Sequence, residues 1–358
     1  MALPSFLLRL RNRLLADPTF LAFAQRNVLT RPVARKKSLE LFDLLAGFSY
    51  SQVLYACVRL RVFEHIDQQG KSLGELASKL NLPVASAELL VKAAAALELL
   101  AWDKSQIVLG PHGAALLGQP WIMQFVEHHQ HFYRDLEDPV AMLQGGHVEG
   151  GLRSYWSYGN SESDKSAYTA LMAASQKAVS EQIINSYDFA RHTRMLDVGG
   201  GSGAFLKAVG QVYPKLERHL FDLPDVVSLA DDASLKTHGG DFRRDALPHG
   251  MDLISLVRVV HDHDDSVVVA VLKNIRRVCS RDTVLLIAEP LAGNPATARV
   301  TDAYFNLYFA AMGQGRTRTP AEIAALAVQA GFQRPKNWRT DMPLITGLLS
   351  LRSDGAEV

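Results

Sequence analysis

Apolar runs and amphipathic segments alternate along the second half of the chain. From residue 194 onward, four short apolar runs have the length of β-strands, and each is followed by a helix-like segment or a loop: RMLDVG, ERHLFDLP, MDLISLVRVV and TVLLIAEPL. Such alternation predicts a parallel sheet with helices on both faces, as in doubly wound α/β folds. The final segment, from QRPKNWRT to LITGLLSL, suits a closing antiparallel pair.

Residues 39–118 show helical periodicity followed by one short hairpin. The segment SLGELASKLNLP opens with a serine, and Glu75 follows three residues later, which is the pattern of a capping box. Two strand-like runs in AWDKSQIVLGPHG come after the helices, an order that is typical of a winged helix. We predict four segments: an N-terminal arm (1–38), a winged-helix-like domain (39–118), a helical connector (119–190) and a sheet domain (191–358).

Charge and cysteine content argue against a nucleic-acid-binding protein and for a cytoplasmic one. The 358 residues carry 38 Lys and Arg against 37 Asp and Glu, and this net charge of +1 argues against general nucleic-acid binding. A winged helix can also read DNA, but residues 85–100 offer only Lys92 to phosphates, so that helix suits burial in a dimer. Cys57 and Cys279 lie apart in apolar surroundings, which predicts buried thiols and a cytoplasmic protein.

The N-terminal arm concentrates positive charge. Residues 1–40 carry eight basic and two acidic side chains, a balance of +6, and SFLLRLRNRLL interleaves apolar residues with arginines. A basic amphipathic helix can rest on an anionic membrane surface, and residues 1–37 are our candidates for such a contact. The alternative is a helix packed on its own or a partner's domain. No run approaches the ~18 uninterrupted apolar residues of a spanning helix, and the arm does not resemble a secretory signal.

The segment RMLDVGGGSGAFLKAV, residues 194–209, places consecutive glycines between a predicted strand and a predicted helix. It fits the G-x-G-x-x-[GA] pattern of dinucleotide sites, which alone is a weak signal. It also fits D-x-G-x-G-x-G over Asp197, Gly199, Gly201 and Gly203. A carboxylate there would repel a pyrophosphate and suit an ammonium group.

Polar residues recur at the ends of the strands that follow, where open α/β sheets bind ligands. They are Asp222, then Asp241 with Phe242, then Arg258 with His261, and finally Glu289. S-adenosylmethionine (SAM) suits this set better than a nicotinamide cofactor does. Asp222 offers acceptors to a ribose diol, Phe242 and Asp241 offer a flank and a polar edge to adenine, and Arg258 offers a cation to a carboxylate. We predict SAM as the cofactor and S-adenosylhomocysteine (SAH) as its product.

A set of motifs resembles the plant-type small-molecule O-methyltransferases in order and spacing, over roughly residues 40–350: LDVGGGSGAF, FDLPDVV, GGDF, VRVVHDHDD, LLIAEP and GRTRTPAEIAALAVQAGF. Within that family, EHHQHFYRDLEDPVAML and VRVVHDHDD most resemble the bacterial carotenoid hydroxyl methyltransferases of the hydroxyneurosporene or demethylspheroidene type. The resemblance implies a homodimer, a seven-stranded Rossmann-like SAM domain, and Leu223 beside Asp222 at the cofactor. It also implies methylation of a tertiary hydroxyl on an acyclic carotenoid, in the cytoplasm or at the photosynthetic membrane.

A tertiary alcohol is a weak acid, so its attack on the sulfonium methyl needs a base within hydrogen-bond reach. The resemblance implies that His261 is this base and that Glu289 orients it, while a second family glutamate is replaced here by Thr317. The cluster HDHDD, residues 261–265, also resembles a metal site. No partner set is evident at ligand spacing, and we expect no metal.

The acceptor pocket is the least defined part of the sequence. One helical face carries large apolar and aromatic residues, which as a rule form core more often than pocket: Tyr304, Phe305, Tyr308, Phe309 and Met312. An apolar Met312 suits a polyene, and Tyr308, Met312 and Met172 are our wall candidates. The cluster EHHQH, residues 127–131, either lines the cavity or lies on a surface.

Two alternatives stay open at this point. A methyltransferase of the same fold would act on a bacteriochlorophyllide, with transfer to carbon, or on a phenolic or polyketide molecule. A SAM-sensing winged-helix regulator would instead retain DNA at moderate salt. We expect a small hydrophobic acceptor and no nucleic acid.

Overall fold

The chain divides between residues 127 and 128 into two units, each with a core of its own. The computed structural model describes residues 4–66, 68–156 and 175–353, so Met172 lies outside the described residues. The two units are described separately below. The finer division into four segments stays a prediction, although helix α3 runs without a break through its first boundary at residue 38.

The first unit opens with three helices: α1 (Ser5–Leu15), α2 (Pro18–Arg26) and α3 (Arg31–Arg59). None of the α1 side chains is buried. Between residues 33 and 48 of α3, seven large apolar side chains are each at least 63% exposed. Exposed apolar surface on this scale marks an interaction face. By length and composition alone α3 could also cross a membrane, which is weak evidence because soluble helices pass the same test.

The rest of the first unit is a winged-helix arrangement, as predicted. It contains α4 (Leu73–Leu80), α5 (Val84–Ala96), the antiparallel strands β1 (Leu100–Asp103) and β2 (Gln106–Leu109), and α6 (Pro111–Leu117), and α7 (Pro120–Asp135) continues into the second unit. The predicted capping box is present, with Ser72 and Glu75 bonded reciprocally at the start of α4. Phe63, Leu76 and Ile107 lie in the core of this unit.

The second unit contains a seven-stranded sheet in the order β5-β4-β3-β6-β7-β9-β8. Its strands are β3 (Arg194–Val198), β4 (Glu217–Asp222), β5 (Lys236–Gly239), β6 (Leu253–Val257), β7 (Val284–Glu289), β8 (Lys336–Trp338) and β9 (Gly347–Arg352). The first five are parallel and β9 runs antiparallel to both neighbours. Strand order reverses at β3, which is the ligand-binding switch point of such sheets.

Helices cover both faces of this sheet, as the alternating pattern predicts. The helices that follow α7 are α8 (Pro139–Leu143), α9 (Leu152–Trp156), α10 (residues 175–186), α11 (Ala204–Val212), α12 (Pro224–Val227), α13 (Asp265–Val278), α14 (Asn306–Met312) and α15 (Pro320–Gln329). A π-helical turn, Arg299–Phe305, leads directly into α14. One core packs α13 and α15 on the sheet, and the other packs α10 and α11.

Candidate active site at the carboxyl ends of the strands

The glycine-rich turn joins β3 to α11 at the switch point. Gly199, Gly201 and Gly203 have φ values of 72°, 61° and 82°, which residues with a side chain rarely adopt. A Cβ on Gly203 would also lie 2.6 Å from the Leu235 side chain. The turn therefore requires glycine, and its bare backbone stands at the carboxyl edge of the sheet.

Asp222 ties the end of β4 to this turn. Its Oδ2 accepts the backbone N–H of Gly201 at 2.8 Å, and its Oδ1 accepts that of Leu223 at 2.7 Å. Burial raises the pKa of Asp222, and the two N–H donors oppose that rise. Each carboxylate oxygen retains a second lone pair, which is the acceptor fork that a ribose diol requires. Leu223 is exposed beside it.

Asp197 lies beneath the turn. It is 1% exposed, and one oxygen accepts the hydroxyl of Ser255 on β6. The other oxygen would lie 2.4 Å from a Cβ on Gly200. Burial raises the pKa of Asp197 to about 7. That second oxygen is buried with no hydrogen-bond partner among the described residues, and the predicted contact with a ligand's ammonium stays a prediction.

The residues after β5 lie at the same carboxyl edge of the sheet, beside the glycine-rich turn. The Phe242 ring lies 3.4 Å from a Cβ built on Gly199, so it flanks the turn as the adenine prediction requires. Asp241 already accepts two hydrogen bonds from the Arg243 guanidinium, at 2.8 and 2.7 Å. That pairing lowers the pKa of Asp241 to about 2. The Arg243 partner was not predicted from the sequence.

Arg258 follows β6 in a strained conformation. Its φ is 59°, a value uncommon for a residue with a side chain and often found at functional sites. The backbone is held there by its N–H, which donates to the carbonyl of Ala288 at 2.9 Å. Its guanidinium donates to the hydroxyl of Ser175 at 2.8 Å. Its predicted role toward a carboxylate stays a prediction.

His261 and Glu289 come together at the ends of β6 and β7. Glu289 accepts the backbone N–H groups of Val259 and Val260 through Oε1, at 2.9 and 2.7 Å. Its Oε2 accepts a hydrogen bond from Nδ1 of His261. Both side chains are buried. The backbone therefore holds the carboxylate in place, and the carboxylate in turn holds the Nδ1 edge of the imidazole.

A second carboxylate contacts the other imidazole nitrogen. Oδ1 of Asp262 lies 3.1 Å from Nε2 of His261. Burial lowers the pKa of His261, but Asp262 and Glu289 outweigh it and raise that pKa to about 10. Both carboxylates therefore favour the protonated form of the imidazole. Asp262 is part of the sequence motif HDHDD, whose pattern suggests a metal ligand and gives no sign of a contact with Nε2.

Thr317 does not replace the missing glutamate. Its hydroxyl donates to Oδ1 of Asn306 at 2.6 Å, and neither atom bonds to His261. The turn that carries His261 is held instead by the buried Arg318, whose guanidinium donates to the carbonyls of Val260 and His263, both at 2.7 Å. This clamp was missed because it joins residues more than fifty positions apart.

An aromatic surface packs against His261. The Phe309 ring stacks on the imidazole with centroids 4.8 Å apart and planes inclined by 28°. Tyr308 and Met312, the described wall candidates, are each 4% exposed. His128 of the EHHQH cluster is buried too, so the surface alternative is wrong for it. Within residues 4–66, 68–156 and 175–353, no three His, Cys, Asp or Glu side chains are grouped to hold a metal ion.

Two family models match the chain in sequence order. The O-methyltransferase dimerisation domain matches residues 42–112, and the O-methyltransferase domain matches residues 133–333. The chain is 39% identical to demethylspheroidene O-methyltransferase of Rhodobacter capsulatus over 333 residues, 91% of this chain and 84% of that protein. It is 41% identical to the same-named protein of Cereibacter sphaeroides over 343 residues, 92% and 90% of the two chains.

Solved methyltransferases share the fold. Human N-acetylserotonin methyltransferase, solved with SAM, aligns with a TM-score of 0.73 at 23% identity, over 88% of this chain and 97% of that chain. A methyltransferase of calicheamicin biosynthesis, in its SAH-bound form, aligns with a TM-score of 0.77 at 23% identity, over 89% and 98%. Both likenesses confirm the predicted two-part architecture.

Proposed function

Because this chain belongs to the O-methyltransferase family, we propose that it transfers a methyl group from SAM to the tertiary 1-hydroxyl of an acyclic carotenoid. The observation that carries the proposal is the arrangement around His261, a buried imidazole held by Glu289 and faced by an aromatic helix. The similar demethylspheroidene O-methyltransferases support the choice of acceptor.

The glycine-rich turn would hold SAM, which would supply an electrophilic sulfonium methyl group. The backbone of Gly199 to Gly203 leaves room for close approach, and Asp222 accepts from the ribose hydroxyls. Phe242, which lies beside Gly199, would flank the adenine. The residues present therefore fit this cofactor without a further group.

His261 removes the proton of the acceptor hydroxyl as the oxygen attacks the methyl group. Before transfer, Nε2 gives up its proton through the adjacent Asp262 carboxylate to solvent; the acceptor hydroxyl then takes the place of Asp262 at Nε2, and the neutral imidazole accepts the hydroxyl proton on that atom. Glu289 stabilises the resulting imidazolium through Nδ1. The tertiary alcohol never becomes a free alkoxide, because proton transfer and attack are concerted.

An acceptor panel tests the proposal. Purified protein is incubated with SAM and, separately, with a 1-hydroxy acyclic carotenoid, N-acetylserotonin or a bacteriochlorophyllide, and product masses are measured. We expect one added methyl group on the carotenoid alone. Turnover of the phenol or the tetrapyrrole, with none of the carotenoid, would reassign the acceptor while leaving the methyltransferase function in place.

The enzyme is a homodimer and works in the cytoplasm at the membrane that dissolves its acceptor. The family's dimerisation domain and the exposed apolar face of α3 support the dimer. Support for the membrane contact comes from α1, where the exposed Phe6 and Leu10 alternate with Arg9 and Arg11. Such a helix combines apolar burial with attraction to anionic lipid.

Charge reversal tests the membrane contact. Replacing Arg9, Arg11 and Arg13 by glutamate should reduce co-sedimentation with anionic liposomes and leave SAM affinity unchanged. The matched control makes the same change at the exposed Arg277, Arg281 and Arg334 of the second unit. Equal sedimentation of the two variants would reject the contact.

A further inference from the structure

One buried and one half-buried histidine–tyrosine pair join the second half of α7, residues 128–135, to the helix beside His261. Nε2 of His128 shares a hydrogen bond with the Tyr308 hydroxyl, and Nε2 of His129 shares one with that of Tyr304, both at 2.7 Å. The two tyrosines are four residues apart and stand on either side of the junction between the π-helical turn and α14. The reaction chemistry uses neither pair.

Both histidines are uncharged across the physiological range. Burial lowers the pKa of His128 to about 3 and that of His129 to about 4. Burial also raises the pKa of Tyr304 well above 10. Each bond therefore joins a neutral imidazole to a tyrosine hydroxyl, and breaking the buried His128–Tyr308 bond would remove a hydrogen bond between two desolvated groups. An apolar contact in the same place would allow the helix to slide, whereas these bonds define one rotation of it.

The rotation of this helix determines what lies against His261. Phe309 follows Tyr308 directly, and its ring stacks on the imidazole. Phe305 stacks on Phe309 with centroids 6.0 Å apart and planes inclined by 16°. A π-helical turn shifts the register of the side chains that follow it and is frequent at functional sites. A small rotation here would move Phe309 off the imidazole.

We propose that His128 and His129 are positioning residues. Through Tyr308 and Tyr304 they fix the helix over residues 299–312, so that Phe309 packs on His261 and holds Nε2 toward the acceptor oxygen. The proposal rests on the proposed function, since it takes His261 as the base. It adds a determinant of acceptor geometry that lies outside the residues touching the reacting atoms.

Paired substitutions separate positioning from stability. Tyr308→Phe leaves the buried His128 Nε2 without its hydroxyl partner, so Tm should fall. His128→Leu combined with Tyr308→Phe removes both polar partners, so Tm should return toward the wild type. If the pair positions Phe309, kcat should fall about tenfold or more in the single variant and stay low in the double. SAM affinity should be unchanged in both, and a kcat that recovers together with Tm would overturn the proposal.

A matched pair elsewhere in the second unit supplies the control. The Tyr187 hydroxyl lies 2.9 Å from Nε2 of His192, and Tyr187 is also buried. This pair precedes β3, at the end of the strand opposite the glycine-rich turn. Tyr187→Phe should lower Tm in the same way and leave kcat unchanged.

A second readout does not depend on the acceptor. In protein labelled with carbon-13 histidine, the ring resonance of His261 is assigned by its loss in His261→Ala. Tyr308→Phe and the double variant should shift that resonance, because the Phe309 ring current changes, and Tyr187→Phe should not. If the carotenoid proves not to be the acceptor, this shift still decides the proposal. An unmoved His261 resonance in the double variant would refute it.

Discussion

Glu289→Gln probes how the proton is distributed over the imidazole. In the native protein Oε1 accepts two backbone N–H groups and Oε2 accepts Nδ1–H of His261. In the variant the amide oxygen must face the two backbone donors, so the amide nitrogen faces Nδ1. An amide N–H is a donor only, so Nδ1 becomes the acceptor and the imidazole proton moves to Nε2. Nε2 is then unable to accept the proton of the acceptor alcohol.

The expected loss follows from the bonds that change. The opposite orientation of the amide would place its NH2 against the two buried backbone N–H groups, at a cost of about 1–3 kcal/mol for each unsatisfied group. The variant therefore cannot restore the native hydrogen bond to Nδ1 by rotating its amide. A positioned general base contributes about 10²- to 10⁴-fold, and the corresponding Asp→Asn change in a Ser-His-Asp triad costs about 10⁴-fold. We expect kcat of Glu289→Gln to fall within that range while SAM affinity stays within about twofold.

Single-turnover kinetics measure this loss, with calorimetry for SAM and thermal unfolding as checks on the fold. Glu289→Asp is the matched control, because it keeps the charge and the acceptor oxygens but shortens the reach to Nδ1, and it should retain more activity than the amide. A kcat for Glu289→Gln within about threefold of the wild type, in a normally folded protein, would refute the role of His261 as the base.

Three further changes have separate readouts. Asp262→Asn removes one of the two carboxylates that raise the pKa of His261 to about 10. The deprotonated base then becomes available at lower pH, so the acidic limb of the kcat/KM–pH profile should shift to lower pH. An unchanged limb would exclude an effect of Asp262 on the pKa of His261. Asp222→Asn turns an amide N–H toward backbone donors, so calorimetry should show SAM affinity reduced about 10- to 100-fold, and unchanged affinity would contradict the assignment. Gly203→Ala should lower the free energy of unfolding in urea by about 1–3 kcal/mol. The loss should exceed that of Gly201→Ala, because only a Cβ at residue 203 would meet a neighbouring side chain. The reverse order would be inconsistent with the geometry of the turn.

The sequence predicted the features that local pattern encodes. Strands β3, β4, β6 and β7 are buried along nearly their whole length. Their sequences are therefore nearly continuous apolar runs, which the sequence pattern identifies as strands. The glycine-rich turn was predictable too, because the need for glycine depends only on the backbone conformation at each position. Strand β5 was missed because KTHG is short and polar and lies at the edge of the sheet, where little of it is buried.

The features that the sequence did not predict depend on distant pairings. Arg318 reaches back to the carbonyl of Val260, and His128 meets Tyr308 across 180 positions. No spacing rule connects such residues, because only the fold brings them together. The placement of Asp197 beneath the turn has the same origin, since the motif fixes its position in the chain but not which face it presents.

The proposed reaction transfers a methyl group to the hydroxyl oxygen of a carotenoid, with His261 as the base. The most direct measurement uses SAM with a carbon-13 methyl group, a 1-hydroxy acyclic carotenoid in detergent, and NMR of the isolated product, beside His261→Ala. We expect a labelled methoxy signal at the tertiary carbon that is lost in the variant, while the variant still binds SAM. A label on carbon, or equal product from His261→Ala, would contradict the proposed reaction.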